Sequence, residues 1–226
     1  MKARVAGVVG AALVAAGAAR GSIWIVSDAR PALRVDARGT AEVSWRSGGA
    51  RQTVLVPAHG LLTHGGSLAG ADVSRPASVP GLSLARVVRR TPDGMLWALQ
   101  GWQVQAGGPT EVHLARWKGA PTAVTLSFDG VRLTGAASFQ GRPVTGRTFT
   151  LEGKRPRIYV YLDCFACPAA HGAGWGRMIG IAPKADGSFA VRLRPDWTGK
   201  KYRATVAGPN VGTTFAPDAR VVISAA

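Results

Sequence analysis

What this chain can fold into is limited first by where its turns fall. Beyond residue 19 no long stretch keeps a helical period, and the apolar residues come in short alternating bursts. Glycine supplies 30 of the 226 residues and proline 14, which punctuates the chain too often for helices of ordinary length. Valine and threonine fill many of the bursts between. Alternation with period two, bounded by Gly, Pro, Asp and Ser, is the pattern of half-buried strands. The expected fold class is therefore all-β.

Two blocks of strands are expected. In the first, Thr40–Arg46 and Gln52–Val56 flank Ser47-Gly48-Gly49, which reads as a hairpin. Residues 57–82 read as loop and hold His59 and His64. Leu96–Val104, Val112–Trp117 and Val124–Phe128 then read as a three-strand meander. In the second block, Val131, Leu133, Ala137 and Phe139 alternate with polar residues, and Arg147–Leu151 is a further strand. From Arg157 to Leu162 the aliphatic residues share one face, while Arg157, Tyr159 and Tyr161 share the other. Met178–Ile181 and Ser188–Arg194 flank Asp186-Gly187, a strong hairpin signal. Tyr202–Val206 and Val221–Ser224 complete a set of about seven strands, as many as a β-sandwich uses. The expected organisation is a linker at 19–31, a β domain at 32–128 and a β-sandwich at 129–226.

Three stretches of the second block carry a resemblance. VRLTGAASFQGRPVTGRTFTLE at 131–152, KADGSFAVRLRP at 184–195 and KYRATVAG at 201–208 resemble bacterial Ig-like or carboxypeptidase-regulatory-like β-sandwich modules. The shared residues are turn and core signatures, so the resemblance implies a fold more than an activity. Such modules typically serve as spacers, stabilising appendages or adhesive units of exported proteins. The chain departs from them at 163–176, where a cysteine-containing stretch replaces a short connection.

The start of the chain reads as an export signal. Lys2 and Arg4 precede an uncharged run from Val5 to Ala19, and Ala16-Gly17-Ala18 offers a small-residue cleavage site. The run is about 15 residues long, against the roughly 20 that span a bilayer. A signal peptide over 1–18 is the leading reading. A retained anchor, helped by Ile23-Trp24-Ile25-Val26, is the alternative. No later stretch is apolar enough to span a membrane. The chain is strongly basic, with 28 Lys and Arg against 12 Asp and Glu and a net charge of +16. A surface of that sign attracts polyanions, and for an exported protein an anionic cell-wall polymer or a surface protein is the candidate partner; the plainer reading is arginine on solvated strand faces. Specific nucleic-acid recognition is not expected, because no recognised binding motif appears. Lys154, Arg155, Arg157, Arg192 and Arg194 are the candidate cationic surface.

Cys164 and Cys167 are the only cysteines. In an exported domain a C-x-x-C pair reads first as a disulfide. Closing so small a loop stabilises by only about 2 kcal/mol in the chain-entropy view, which suits the pinning of a loop. A redox role is the alternative, although Pro168, Gly172, Gly174 and Gly176 deny the pair the helix that usually activates a thiol. With His171 the pair gives three ligands, one short of a closed zinc site, so no metal and no cofactor is expected. His59 and His64 read as solvated loop residues, and His113 as a strand-face residue. Trp97 and Trp102 have opposite strand parity; packing in a core or between domains is the leading reading for them, and exposure of one, suited to stacking on sugars or holding a partner, is the alternative. Trp175, in the Gly-rich loop, is the best candidate for an exposed aromatic, and with His171 it marks a candidate binding loop.

No G-x-S-x-G, H-E-x-x-H or phosphate loop is present, and no catalytic residue is assigned. The expected function is an exported, non-enzymatic binding or structural module at the bacterial cell surface. It would present loops and a cationic surface to a partner. A thiol–disulfide redox protein using Cys164 and Cys167 is the alternative, and an unrecognised hydrolase a further one.

Overall fold

The computed structural model describes residues 22–59, 62–103, 108–145, 160–170, 174–211 and 214–225. The expected signal segment 1–18, together with Lys154, Arg155, Arg157 and His171, lies outside the described residues.

The chain is all-β. Its first strands are β1 (Ile23–Ser27), β2 (Ala32–Val35), β3 (Ala41–Ser47), β4 (Ala50–Val56) and β5 (Thr63–His64). There follow β6 (Arg75–Pro76), β7 (Ala85–Arg90), β8 (Leu96–Gln103), β9 (Thr110–Trp117) and β10 (Thr122–Val124). Next come β11 (Ser127–Phe128), β12 (Arg132–Phe139), β13 (Arg142–Pro143), β14 (Val160–Phe165) and β15 (Trp175–Ile181). The last are β16 (Ser188–Arg192), β17 (Lys201–Val206), β18 (Asn210–Val211), β19 (Thr214–Phe215) and β20 (Ala219–Ser224). Every paired ladder is antiparallel. No helix among the described residues is long and apolar enough to cross a membrane.

The architecture is organised by one central sheet, ordered β18-β19-β9-β8-β7-β6, with β1 also on β9. Both faces of its middle strands are covered. Trp97, Leu99, Val112 and Leu114 face a core shared with Ile25 of β1 and with Leu33, Val35, Val43 and Val54 of the sheet β2-β3-β4-β5. Leu96, Ala98, Ala115 and Trp117 face a second core. That core is shared with Leu133 of β12, Phe189 of β16 and Leu162, Tyr202 and Ala204 of the sheet β15-β14-β17-β20. Burying a tryptophan such as Trp97 or Trp117 removes on the order of 200 Å² from water, about 5 kcal/mol at about 25 cal/mol per Å².

This arrangement corrects several expectations. Residues 23–27 are not linker: they form β1, whose Ile25 is buried in the first core and which pairs with β9. Trp97 and Trp102 are both packed, as the leading reading had it: Trp97 lies in the first core, and Trp102 is stacked on His113. The meander stops at β9, since β10 pairs with β12 in another sheet. Asp186-Gly187 does form a turn, with Gly187 at φ 79° and its N–H donating to Lys184 O at 3.0 Å. The strands on either side nevertheless part: β15 pairs β14, whereas β16 pairs β12. Pro183, which has no N–H to offer a ladder, interrupts the chain between them. The hairpin at Gly48-Gly49 forms as expected, with β3 and β4 paired and both glycines at positive φ.

The two blocks are joined across the 128/129 boundary. β19 pairs with β9 through Phe215 and Arg116, and the Phe215 ring meets Trp97 edge-on at 6.0 Å. Asp218 ties four segments together. Its carboxylate accepts from Ser22 Oγ at 3.1 Å and from Gly208 N–H at 2.9 Å. Its backbone is held by Gln100, which donates to Asp218 O at 2.7 Å and accepts from Asp218 N–H at 2.9 Å. Gln100 also donates to Ser83 O at 2.8 Å.

Candidate functional site

The sheet β15-β14-β17-β20 buries one face and shows the other to solvent. Strand parity decides which residues go where. Val160, Leu162, Cys164, Tyr202, Ala204 and Val206 point into the second core. Tyr161, Asp163 and Phe165 on β14 therefore point outward, as do Lys201, Arg203 and Thr205 on β17 and Arg220, Val222 and Ser224 on β20. The register sets Arg177 opposite Asp163 and Trp175 opposite Phe165 on β15.

The outer face that results is an array of arginines, aromatic rings and one carboxylate. Asp163 is 2 % exposed and takes a guanidinium on each oxygen. Arg177 Nε donates to Asp163 Oδ1, and Arg203 Nε donates to Asp163 Oδ2 at 2.8 Å. The Arg203 guanidinium also lies over the Trp175 ring, 4.4 Å from its centroid, and Arg177 lies over Tyr161 at 4.4 Å. Phe165 braces Trp175 edge-on at 5.4 Å. Arg220, half-buried, donates from Nε to Thr205 Oγ1 at 3.2 Å. Burial, and then the like charge of Arg203, push the Arg220 guanidinium down to about 10, so it stays charged at neutral pH. Asp163 is the one acidic side chain on this face among the described residues, against Arg177, Arg203, Arg220 and Lys201. Tyr161 and Val222 are two of the few large apolar side chains left exposed.

The cysteines sit at the end of this face. Cys164 and Cys167 are joined in a disulfide with Cα atoms 6.0 Å apart, and both are buried. Cys164 keeps the aliphatic parity of Val160 and Leu162. The bridge closes a turn in which Ala166 is left-handed, at φ 53°, a conformation that is unfavourable for a residue with a Cβ. Beyond it one turn of 3-10 helix runs from Pro168 to Ala170, where the sequence suggested none, held by Ala170 N–H donating to Cys167 O at 2.9 Å. Gly199 packs flush against the bridge. A Cβ there would meet Phe165 O at 2.8 Å and the Cβ atoms of both cysteines at 3.3 Å.

The predicted site residues are therefore only partly brought together. Trp175 belongs to the outer face, but it is half-buried between Arg203 and Phe165 rather than presented freely. Arg192 and Arg194 are exposed on and just beyond β16, and Arg194 pairs with Asp196 at 3.0 Å and covers Trp197. Sequence reasoning missed Arg177, Asp163, Arg203 and Arg220 as one group.

A second concavity, of about 420 Å³, lies beside β2, β8 and β9 and is lined by Asp36, His59, Asp93, Trp97 and Arg116 among others. Its acids serve turns: Asp36 accepts from the N–H groups of Arg38 and Thr40, and Asp93 accepts from Thr91 Oγ1 and Met95 N–H. Arg116 lies over Trp97 and donates to Ala58 O at 3.3 Å. His64 is exposed on β5. His113 is buried on the face of β9, 2.9 Å from Glu111 Oε2 and stacked on Trp102. Among the described residues no group of three or more His, Cys, Asp or Glu could hold a metal ion. Compared with family models, with curated proteins and with solved structures, the chain matches none of them.

Proposed function

We propose that this protein is an exported, non-enzymatic binding or structural module of the bacterial cell surface, and that it holds an anionic polymer on the outer face of the sheet β15-β14-β17-β20. The observation that carries this reading is the imbalance of that face, where three arginines and a lysine surround one carboxylate already shared by two of them. Guanidiniums spread over packed rings stay partly dehydrated and fixed in direction, which suits them to oxyanions. The net charge of +16 adds long-range attraction of the same sign. The apolar run at the N-terminus and the Ig-like or carboxypeptidase-regulatory-like resemblance support the surface location and the modular role.

Burial of both sulfurs supports a staple rather than an exchanging disulfide, since exchange needs a thiolate to reach sulfur. The bridge then serves the face by fixing the end of β14, next to Phe165 and Trp175.

The test is retention of the purified protein on cell-wall fragments and on soluble polyanions. Retention at low salt that is released as salt rises is expected, because contacts to a charged chain exchange for counterions. Failure to be held by any polyanion at low salt removes the polymer-binding reading.

A further inference from the structure

The cationic face is built to read one chemical group in preference to another. The reading rests on the proposal above and narrows it. The two ring faces that could have stacked on sugars are covered on one side by guanidiniums, Trp175 by Arg203 and Tyr161 by Arg177. Sugar stacking on those sides is blocked, and what the face offers is guanidinium N–H donors, exposed at Arg177, half-buried at Arg220 and nearly enclosed at Arg203, which is 8 % exposed and already gives Nε and Nη2 to Asp163. Their positions follow from the register. Arg203 is opposite Val222, and Arg220 is opposite Thr205, so the two arginines are diagonal neighbours on adjacent strands. Diagonal positions lie about 7–8 Å apart, within reach of long side chains. Arg177 stands two strands away from Arg203, across Asp163. From β15 to β20 the guanidiniums span three strand spacings, on the order of 14 Å at about 4.8 Å each.

The face also shows how it treats a carboxylate. Asp163 has two oxygens and gives one to each of Arg177 and Arg203. Arg220 hydrogen-bonds a neutral acceptor, Thr205 Oγ1, and feels the carboxylates of Asp163 and Asp218 only through space. An added group that serves Arg203 and Arg220 together must accept from two guanidiniums set on different strands and in different rows. The tetrahedral oxygens of a phosphate meet that requirement better than the planar pair of a carboxylate.

We propose that Arg203 and Arg220 seat a phosphate group of an anionic chain lying across the strands, and that Arg177 contacts a neighbouring phosphate of the same chain. Arg220 is half-buried beside the buried Arg203, and the repulsion that Arg203 exerts on it, against the pull of Asp163 and Asp218, is relieved when the phosphate arrives. Arg220 is thus kept for binding at some expense of stability, a trade common at functional sites.

The experiment is a binding titration of the purified, disulfide-intact protein with two probes, inorganic polyphosphate and poly-glutamate of matched charge, at several salt concentrations. The wild-type protein is expected to bind polyphosphate at least fivefold more tightly. The logarithm of its affinity should fall with log salt at a slope of about −2 for three contacts at about −0.7 each. Arg220→Gln should weaken polyphosphate binding about tenfold, reduce the slope by about 0.7 and leave the melting temperature unchanged or higher. Arg75→Gln, which removes the same charge from β6, should change binding less than twofold. Arg220→Lys keeps the charge without the fork, so its binding should fall about threefold with the slope retained. If the Gln variant melts much lower, the Lys variant decides. Wild-type-like binding by Arg220→Lys, or by a folded Arg220→Gln, overturns the seat and leaves the cationic-face reading standing. Preference for poly-glutamate overturns the choice of phosphate. Absence of salt-dependent binding to either probe fails the underlying reading itself.

Discussion

Gln100 shows how a single polar side chain can do the work of a strand edge. It is fully buried in the middle of β8, on the parity of Leu96 and Ala98, where the core is otherwise apolar. Its amide group gives and receives one hydrogen bond with the backbone of Asp218 and donates a second to Ser83 O. It therefore joins the central sheet to a segment 118 residues away, as a neighbouring strand would. Replacing it with a similarly sized apolar residue strands the Asp218 N–H and Ser83 O and leaves Asp218 O only a long contact from Ser83 Oγ at 3.5 Å. Each buried group left without a partner costs about 1–3 kcal/mol. Gln100→Leu should therefore lower stability by about 3 kcal/mol, a fall of roughly 10 °C in melting temperature for a chain of this length. Thermal unfolding followed by circular dichroism checks it, and a change under 2 °C would mean that the bonds are replaced by others.

At the scale of elements, the turns that launch the strands carry a pH dependence. Asp129 accepts from the N–H groups of Val131 at 2.9 Å and Arg132 at 2.6 Å, setting the entry to β12. Those two backbone bonds hold its carboxyl below the ordinary value of 3.8. Asp186 behaves alike at the entry to β16, through Ser188. A carboxylate whose folded value is depressed adds stability that is complete above the unfolded value and disappears as pH falls through the folded one. The contribution from these turns should therefore be level above about pH 5 and decline below pH 3.8. Asp129→Asn keeps an acceptor that does not titrate, so its melting temperature should fall less steeply between about pH 4 and pH 2 than the wild type does. Parallel curves for the two proteins would deny the turn its part. Turns of this kind were legible in the sequence, as Gly48-Gly49 and Asp186-Gly187 were, because the demand for positive φ or an Asp acceptor is local. So was the parity of β14, because Tyr161 and Asp163 alternate with apolar residues along it. Strands β8 and β9 were not legible in the same way. With both faces buried, Leu96-Trp97-Ala98-Leu99 loses the alternation that tells inside from outside, and Arg116 and His113 look like surface residues. The partner of β16 was also hidden, since a turn fixes the reversal of the chain and not the strand that receives it. The arginine face could not be read for a related reason. Arg177, Arg203 and Arg220 come from three segments, and only the register of the sheet makes them neighbours.

For the whole molecule, the shared central sheet decides how the protein should unfold. Division at residue 128 would give two domains able to melt separately, as the sequence pattern suggests. The cores do not divide there. β8 and β9 supply Trp97 and Leu114 to one core and Trp117 and Ala115 to the other from alternate positions of the same strands. Loss of either outer layer uncovers one whole face of the central sheet, including a fully buried tryptophan. A fragment ending at 128 would lose Phe215 from beside Trp97 and everything that covers Trp117 from the second block. A fragment beginning at 129 would leave Leu133, Leu162 and Tyr202 without the central-sheet side chains of their core. Neither layer has enough of its own core to remain folded once the middle is exposed, so the transitions are coupled. Scanning calorimetry of the intact protein should show a single transition, with the calorimetric and van't Hoff enthalpies agreeing. Fragments 22–128 and 129–226 made separately should show no cooperative melting. Two resolved transitions in the intact protein, or a fragment that melts cooperatively alone, would mean that the central sheet belongs to one domain and merely touches the other. Binding offers a second reading of the same coupling, since a polyanion held by the outer face should raise the one transition as a whole rather than split it.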